Sequence, residues 1–94
     1  MYGTCGRARV KPENRGKLQA VFSGGRQRDV PGYVTSYVLE ENDSDSVWLF
    51  AVFEDRATYD KNADDPAQHE EYLKYRALME GEPDWHDGEI RQFP

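Results

Sequence analysis

The stretch Val47-Trp48-Leu49-Phe50-Ala51-Val52-Phe53 decides the fold. It is made of β-branched, aromatic and small apolar residues without Gly or Pro, so it reads as a strand. Alternation places Trp48, Phe50 and Val52 on one face and Leu49, Ala51 and Phe53 on the other, and both sets want to be dry. Helices of the same chain can cover one of these faces. The other then meets a partner, and the inference is a homodimer joined sheet to sheet. The competing reading is a central strand whose outer face is half covered by long Arg and Tyr side chains.

Upstream, Glu41 to Ser46 (ENDSDS) is a polar turn and Tyr33 to Leu39 is dense in Tyr, Val and Thr, which makes a hairpin of the second and third strands. Tyr2 to Val10 alternates as a first strand, with Tyr2, Thr4, Gly6, Ala8 and Val10 on one face and Gly3, Cys5, Arg7 and Arg9 on the other. Pro12 suits the opening of a helix in which Leu18, Val21, Phe22 and Gly25 recur at helical spacing; Gly24 and Gly25 weaken its end, and Pro31-Gly32 breaks the chain. Downstream, Asp55 caps a short helix to about Ala63. Asp65-Pro66 starts another that runs to about Glu80, where Gly81 and Pro83 end it. Gly88 to Phe93 is then the fourth strand. The order is strand, helix, strand, strand, broken helix, strand: an α+β, ferredoxin-like βαββαβ domain with an antiparallel sheet, spanning residues 1–94.

Ninety-four residues fit one domain with a small core. Charged residues are 32% of the chain, but aromatics reach 13%, which excludes the composition of a disordered chain and supplies rings for a pocket. The net charge of −6 argues against nucleic acid as a partner. The charge is uneven: residues 1–28 hold seven Lys and Arg against Glu13 alone, so the basic opening and the acidic remainder should attract each other. A lone cysteine, Cys5, forms no internal disulfide, and no apolar run approaches the ~20 residues of a membrane span. A soluble, cytoplasmic protein is the expectation.

The opening MYGTCGRARVKPENRGKL, the stretch VPGYVTSYVL, the strand VWLFAVFED and the helices through NADDPAQHEEYLKYRALM together resemble the antibiotic biosynthesis monooxygenase family of dimeric α+β barrels. The resemblance implies a homodimer whose two sheets form a barrel, with a pocket in each subunit between helices and sheet. It implies oxygenation, without a cofactor, of a small quinol-like or anthrone-like aromatic. Two other readings stand beside it. One is a non-catalytic small-molecule-binding or structural barrel; the other, a minor one, is haem binding or degradation, although the haem-degrading relatives use an asparagine on the first strand and Tyr2 to Val10 has none. Quinol-oxygenating relatives often carry a histidine after the proline that opens the third helix and another on the short helix before it. This chain has Ala67 and Gln68 after Pro66, and Asn62 at the other place.

His69, Tyr72 and Arg76 stand at i, i+3 and i+7, which puts an imidazole, a phenol and a guanidinium on one helical stripe. An imidazole can deprotonate a phenolic substrate, and the other two can stabilise the oxyanion that results. The competing reading makes His69 a solvated residue, Tyr72 core, and Arg76 the partner of Glu80 or Glu71. Thr4, Gly6 and Ala8 are small and share a strand face, so they open volume under the helices; Asn62, Tyr59 and an aromatic of the third strand, Trp48 or Phe50, complete the expected ligand wall. Residues Asp84 to Glu89 (DWHDGE) collect polar ligand types, yet consecutive residues rarely converge on one ion, so they read as a turn into the last strand and no metal is expected. Trp85 is expected to close the barrel end.

Overall fold

The structure is a computed structural model that describes residues 1–24 and 29–94; the expected part of Gly25 in ending the first helix lies outside them. In chain order the elements are β1 (Tyr2–Arg9), α1 (Pro12–Ser23), β2 (Tyr33–Glu40), β3 (Ser46–Phe53), α2 (Arg56–Ala63), α3 (Pro66–Arg76) and β4 (Glu80–Glu89). The strands form one antiparallel sheet in the order β2-β3-β1-β4. This is the expected ferredoxin-like α+β architecture.

Local chemistry sets the element ends. Pro12 and Pro66 open α1 and α3, where a missing N–H costs nothing. Asp55 caps α2 by accepting from the Thr58 N–H at 2.9 Å, and Asp65 caps α3 by accepting from the Ala67 N–H at 2.9 Å. Between α1 and β2 the Tyr33 N–H donates to the Val30 carbonyl across Pro31-Gly32. Gly32 sits at φ +81°, as a type II turn demands, and a Cβ there would strike Thr58.

Register fixes which side chains share a face. Gly6 pairs with Leu49 and Ala8 with Val47, so Tyr2, Thr4, Gly6, Ala8 and Val10 of the first strand region face the helices together with Val47, Leu49 and Phe53. The core of Ala8, Val10, Leu18, Val47, Leu49 and Met79 lies between this side of the sheet and the helices, with Leu18 of α1 only 1% exposed. The opposite side carries Cys5, Arg7, Trp48 and Phe50. There Arg7 grips Glu41 with two hydrogen bonds of 2.8 and 3.3 Å, Trp48 Nε1 donates to the same carboxylate at 3.0 Å, and the Arg7 guanidinium stands 6.0 Å from the Trp48 ring centre. The expected attraction between the basic opening and the acidic remainder is met within the chain, since Arg7 pairs with Glu41, and Arg9 and Lys11 with Glu80.

The last part of the chain departs from the sequence reading. α3 ends at Arg76, not near Glu80, and the fourth strand is Glu80–Glu89, not Gly88 to Phe93. DWHDGE is therefore strand and not a turn. Its sequence, EGEPDWHDGE, has almost no apolar alternation, because it is an edge strand that gains its place by pairing along β1. An edge position also tolerates Pro83, and a register shift between Arg7 and Arg9 accommodates the beginning of the strand.

Candidate functional site

A cleft of about 920 Å³ lies between the helices and the sheet. Its wall draws on every strand and all three helices, and it is rich in rings. On the α2 side, Tyr59 stands edge-on to Phe53 (5.6 Å between centres) and to Tyr2 (5.2 Å), and Phe53 edge-on to Tyr33 (5.8 Å). On the α3 side, Tyr75 packs on Phe22 (5.2 Å) and on Tyr72 (5.2 Å), and Tyr72 approaches Trp85 (6.5 Å). Edge-to-face contacts at such separations hold rings in defined orientations. The wall is thus stiff as well as apolar.

Polar groups stand at set points within it. Tyr59 Oη donates to Asp87 Oδ1 at 3.1 Å. Burial first, and the Asp87 carboxylate second among the raising influences, push the Tyr59 phenol up to about 12, against a lowering pull from Thr4. Tyr59 is consequently a proton-bearing donor throughout the neutral range. Asn62 Nδ2 donates to Gln68 Oε1 at 3.2 Å, which ties the end of α2 to the first turn of α3. Tyr72 Oη donates to Glu82 Oε2 at 2.8 Å, while Arg76 Nε reaches the other oxygen, Glu82 Oε1, at 3.1 Å. Burial, and then the bond to Glu82, raise the Tyr72 phenol above its ordinary value; the bonds from Tyr72 and Arg76 lower the Glu82 carboxyl.

Of the residues singled out from sequence, Thr4, Phe50, Tyr59, Asn62, His69 and Tyr72 border the cleft. Gly6, Ala8, Trp48 and Arg76 do not line it. Gly6 does face the helices, but the space above it is filled: its neighbour across the ladder is Trp85, and a Cβ on Gly6 would lie 2.4 Å from that ring. Ala8 is sealed in the core. Trp48 lies on the opposite side of the sheet with Arg7, and alternation gives the Phe50 ring the same side, because Leu49 and Phe53 take the helix-facing positions. The stripe His69, Tyr72, Arg76 does not converge, since Arg76 turns to Glu82 and to the Met79 carbonyl, and its carboxylate partner is Glu82, not Glu80 or Glu71. Trp85 belongs to the cleft wall. Asp87 was missed altogether. The signal that would have found it is period two along DWHDGE, which sets Trp85 and Asp87 on one side and Asp84 and His86 on the other.

A four-stranded antiparallel sheet in this order, covered on one side by three helices that leave a ring-lined cleft, defines a ferredoxin-like α+β domain. The chain belongs to the antibiotic biosynthesis monooxygenase family, whose pattern matches residues 1–77. Among solved structures it is similar to the monooxygenase from the gene ActVA-Orf6 of Streptomyces coelicolor, in complex with nanaomycin D, at 24% identity and a TM-score of 0.80 over 99% of this chain and 89% of that one. It is similar to SnoaB, a cofactor-independent oxygenase from Streptomyces nogalater, at 22% identity and a TM-score of 0.70 over 98% and 94%. Rv0793 from Mycobacterium tuberculosis is a third, at 17% identity and a TM-score of 0.68 over 98% and 96%. At these identities the likeness establishes the fold. No curated protein matches the chain. None of its described helices is long and apolar enough to cross a membrane.

Proposed function

We propose that this protein is a cofactor-independent monooxygenase of a small hydroxylated aromatic, quinol-like or anthrone-like, working as a cytoplasmic homodimer. The observation that carries the reading is the ring-lined cleft of about 920 Å³ with a few placed polar groups, a volume that suits a compact fused-ring molecule. Family membership and the fold shared with an oxygenase and with a nanaomycin D complex support it. In the reaction, the substrate's acidic O–H or C–H gives its proton to a side chain of the cleft, and the electron-rich anion reduces dioxygen. One oxygen atom enters the substrate as a carbonyl and the other leaves as water. His69, on the α3 wall, takes the proton; Tyr59 and Asn62, on α2, and Thr4 on the sheet orient the ring. The dimer is supported by the side of the sheet away from the helices, where Phe50 and Trp48 lie beside Tyr37, 62% exposed, and Leu39, 50% exposed.

One observation favours a binding module instead. The His69 backbone N–H donates to the Asp65 carbonyl, but its imidazole has no hydrogen-bond partner among the described residues to fix its tautomer, as a general base ordinarily has. Oxygen uptake with a panel of quinols and anthrones, wild type against His69→Ala, separates the two. An oxygenase consumes oxygen with at least one compound and loses about 10²-fold or more of that rate in the variant. If no compound gives turnover above the variant, the chain binds without chemistry.

A further inference from the structure

We propose that Asp87 reads the ligand: its carboxylate accepts a hydrogen bond from a hydroxyl on the aromatic ring bound in the cleft, and so selects phenols over their ethers and over aromatic acids. The inference rests on the reading that the cleft takes an aromatic molecule, and goes beyond it by naming the group that chooses among such molecules. Asp87 lies outside residues 1–77, the part of the chain that the family pattern covers.

Three observations carry it. The first is position. Asp87 pairs with Thr4 across the ladder between β1 and β4, two residues from Trp85 on the same side of its strand, and both border the cleft. It therefore stands between the two groups of rings, bonded to Tyr59 of one and flanked by Trp85 of the other. The second is aim. Tyr59 Oη holds Asp87 Oδ1 at 3.1 Å, and Tyr59 is itself fixed by Tyr2 and Phe53, so the carboxylate is oriented before any ligand arrives. The third is spare capacity. An ionised carboxylate accepts at about four lone-pair sites, and among the described residues Tyr59 is the one side-chain donor to the Asp87 carboxylate, which leaves Oδ2 of this exposed residue to a ligand.

The chemistry of selection follows. A charged acceptor beside apolar rings strengthens a bond from a phenolic O–H, gains nothing from an ether oxygen, and repels a carboxylate. Asp87 is exposed in the free chain and keeps its bond from Tyr59, so a ligand without the donor removes water from Oδ2 and returns no hydrogen bond, which is the cost that discriminates against it. Apart from the tyrosine phenols, the remaining ionisable groups of the described wall are Asp29, Glu71, Lys74 and His69. None of them is placed between the two groups of rings by the strand register.

The test is titration calorimetry of the full-length protein with 1-naphthol, 1-methoxynaphthalene and 1-naphthoate at neutral pH. Wild type should bind the naphthol about 10- to 100-fold more tightly than the ether, with the acid weakest. Asp87→Ala should bring naphthol and ether to within about threefold of each other and improve binding of the acid. Asp87→Asn keeps an acceptor for Tyr59 and guards against misfolding; it should keep part of the preference for naphthol and lose the rejection of naphthoate. An ether bound as tightly as the naphthol by wild type, or a preference that survives Asp87→Ala, overturns the proposal. If selection appears but no quinol or anthrone supports oxygen uptake, the oxygenase reading fails and the role of Asp87 stands. If none of the three compounds binds wild type, the aromatic cleft is not a ligand site and both fall.

Discussion

Replacing Gly6 by alanine tests the packing that shapes the cleft. Gly6 faces the helices on β1, and its partner across the ladder is Trp85 of β4. A Cβ on Gly6 would meet three atoms of the Trp85 ring at 2.4 to 2.8 Å, where ordinary contact begins near 3.4 Å. The ring must retreat by about 1 Å, and its neighbours Tyr72 and the partly buried residues of the core resist. Overpacking of this kind costs roughly 1–3 kcal/mol, against which alanine recovers about 0.5–1 kcal/mol of the backbone entropy that a strand glycine loses. The net loss is about 1–2 kcal/mol, a fall in Tm of about 5–15 °C for a domain of this size. Urea unfolding followed by circular dichroism, at one fixed protein concentration, should be run on wild type, Gly6→Ala, Trp85→Leu and the double variant. With Trp85 shortened to leucine the clash is gone, so Gly6→Ala should then be neutral or slightly stabilising, and the coupling between the two sites should be about 1–3 kcal/mol. Equal costs of Gly6→Ala in both backgrounds would refute the packing argument.

Three further outcomes are expected. Because the Tyr59 phenol stands at about 12 in the folded chain against an ordinary 10, folded protein keeps its proton where unfolded chain has lost it; stability should hold below pH 10 and fall between pH 10 and 12, by on the order of 1 kcal/mol after allowing for the ring's partial exposure, and Tyr59→Phe should remove that part of the fall. Asp55→Ala removes the cap on the Thr58 N–H and should lower the thermal midpoint at neutral pH; since that bond holds the Asp55 carboxyl below its usual range, the difference from wild type should close as the pH falls through the acid range, and an unchanged gap at low pH contradicts this. Sedimentation of wild type at micromolar concentration should give a dimer and Phe50→Asp a 10.9 kDa monomer, and a wild-type monomer would end the proposal of a sheet-to-sheet dimer.

The legible parts of the fold were those whose residues signal locally. Proline at the start of α1 and α3, aspartate caps before α2 and α3, and Pro31-Gly32 before β2 each act within one turn of chain, and the alternation of β1 and β3 is written in their own side chains. β4 carries no such signal. Its polar run is a strand because β1 offers it a ladder, a fact about a segment some eighty residues away. The same division separates the site residues. Tyr59, Asn62, His69 and Tyr72 lie on helices whose limits the sequence marks, and they do border the cleft. Arg76 is one turn too far along α3, where the helix ends and the side chain meets Glu82 of the strand that was misplaced. Trp48 stands away from the cleft for a different reason. Both faces of its strand are apolar, so composition could not tell which one the helices take, and the matter was settled by the pairing of Ala8 with Val47 and of Gly6 with Leu49.

Charge explains why one carboxylate of β4 is left for the cleft. Among the described residues of the basic opening, Arg7 pairs with Glu41 at the hairpin, and Arg9 and Lys11 pair with Glu80 at the start of β4. These pairs are largely exposed and contribute little stability singly, but they gather positive charge at one end of β4. Further along, period two divides the strand's acids between its sides. Asp84 faces away from the helices and bonds His86, whereas Asp87 faces them and bonds a neutral phenol. A carboxylate held by a tyrosine keeps its charge uncompensated, which an arginine partner would not allow. Beside the rings of Tyr59 and Trp85, that charge is the feature to which a hydroxyl-bearing ligand responds under the proposal above.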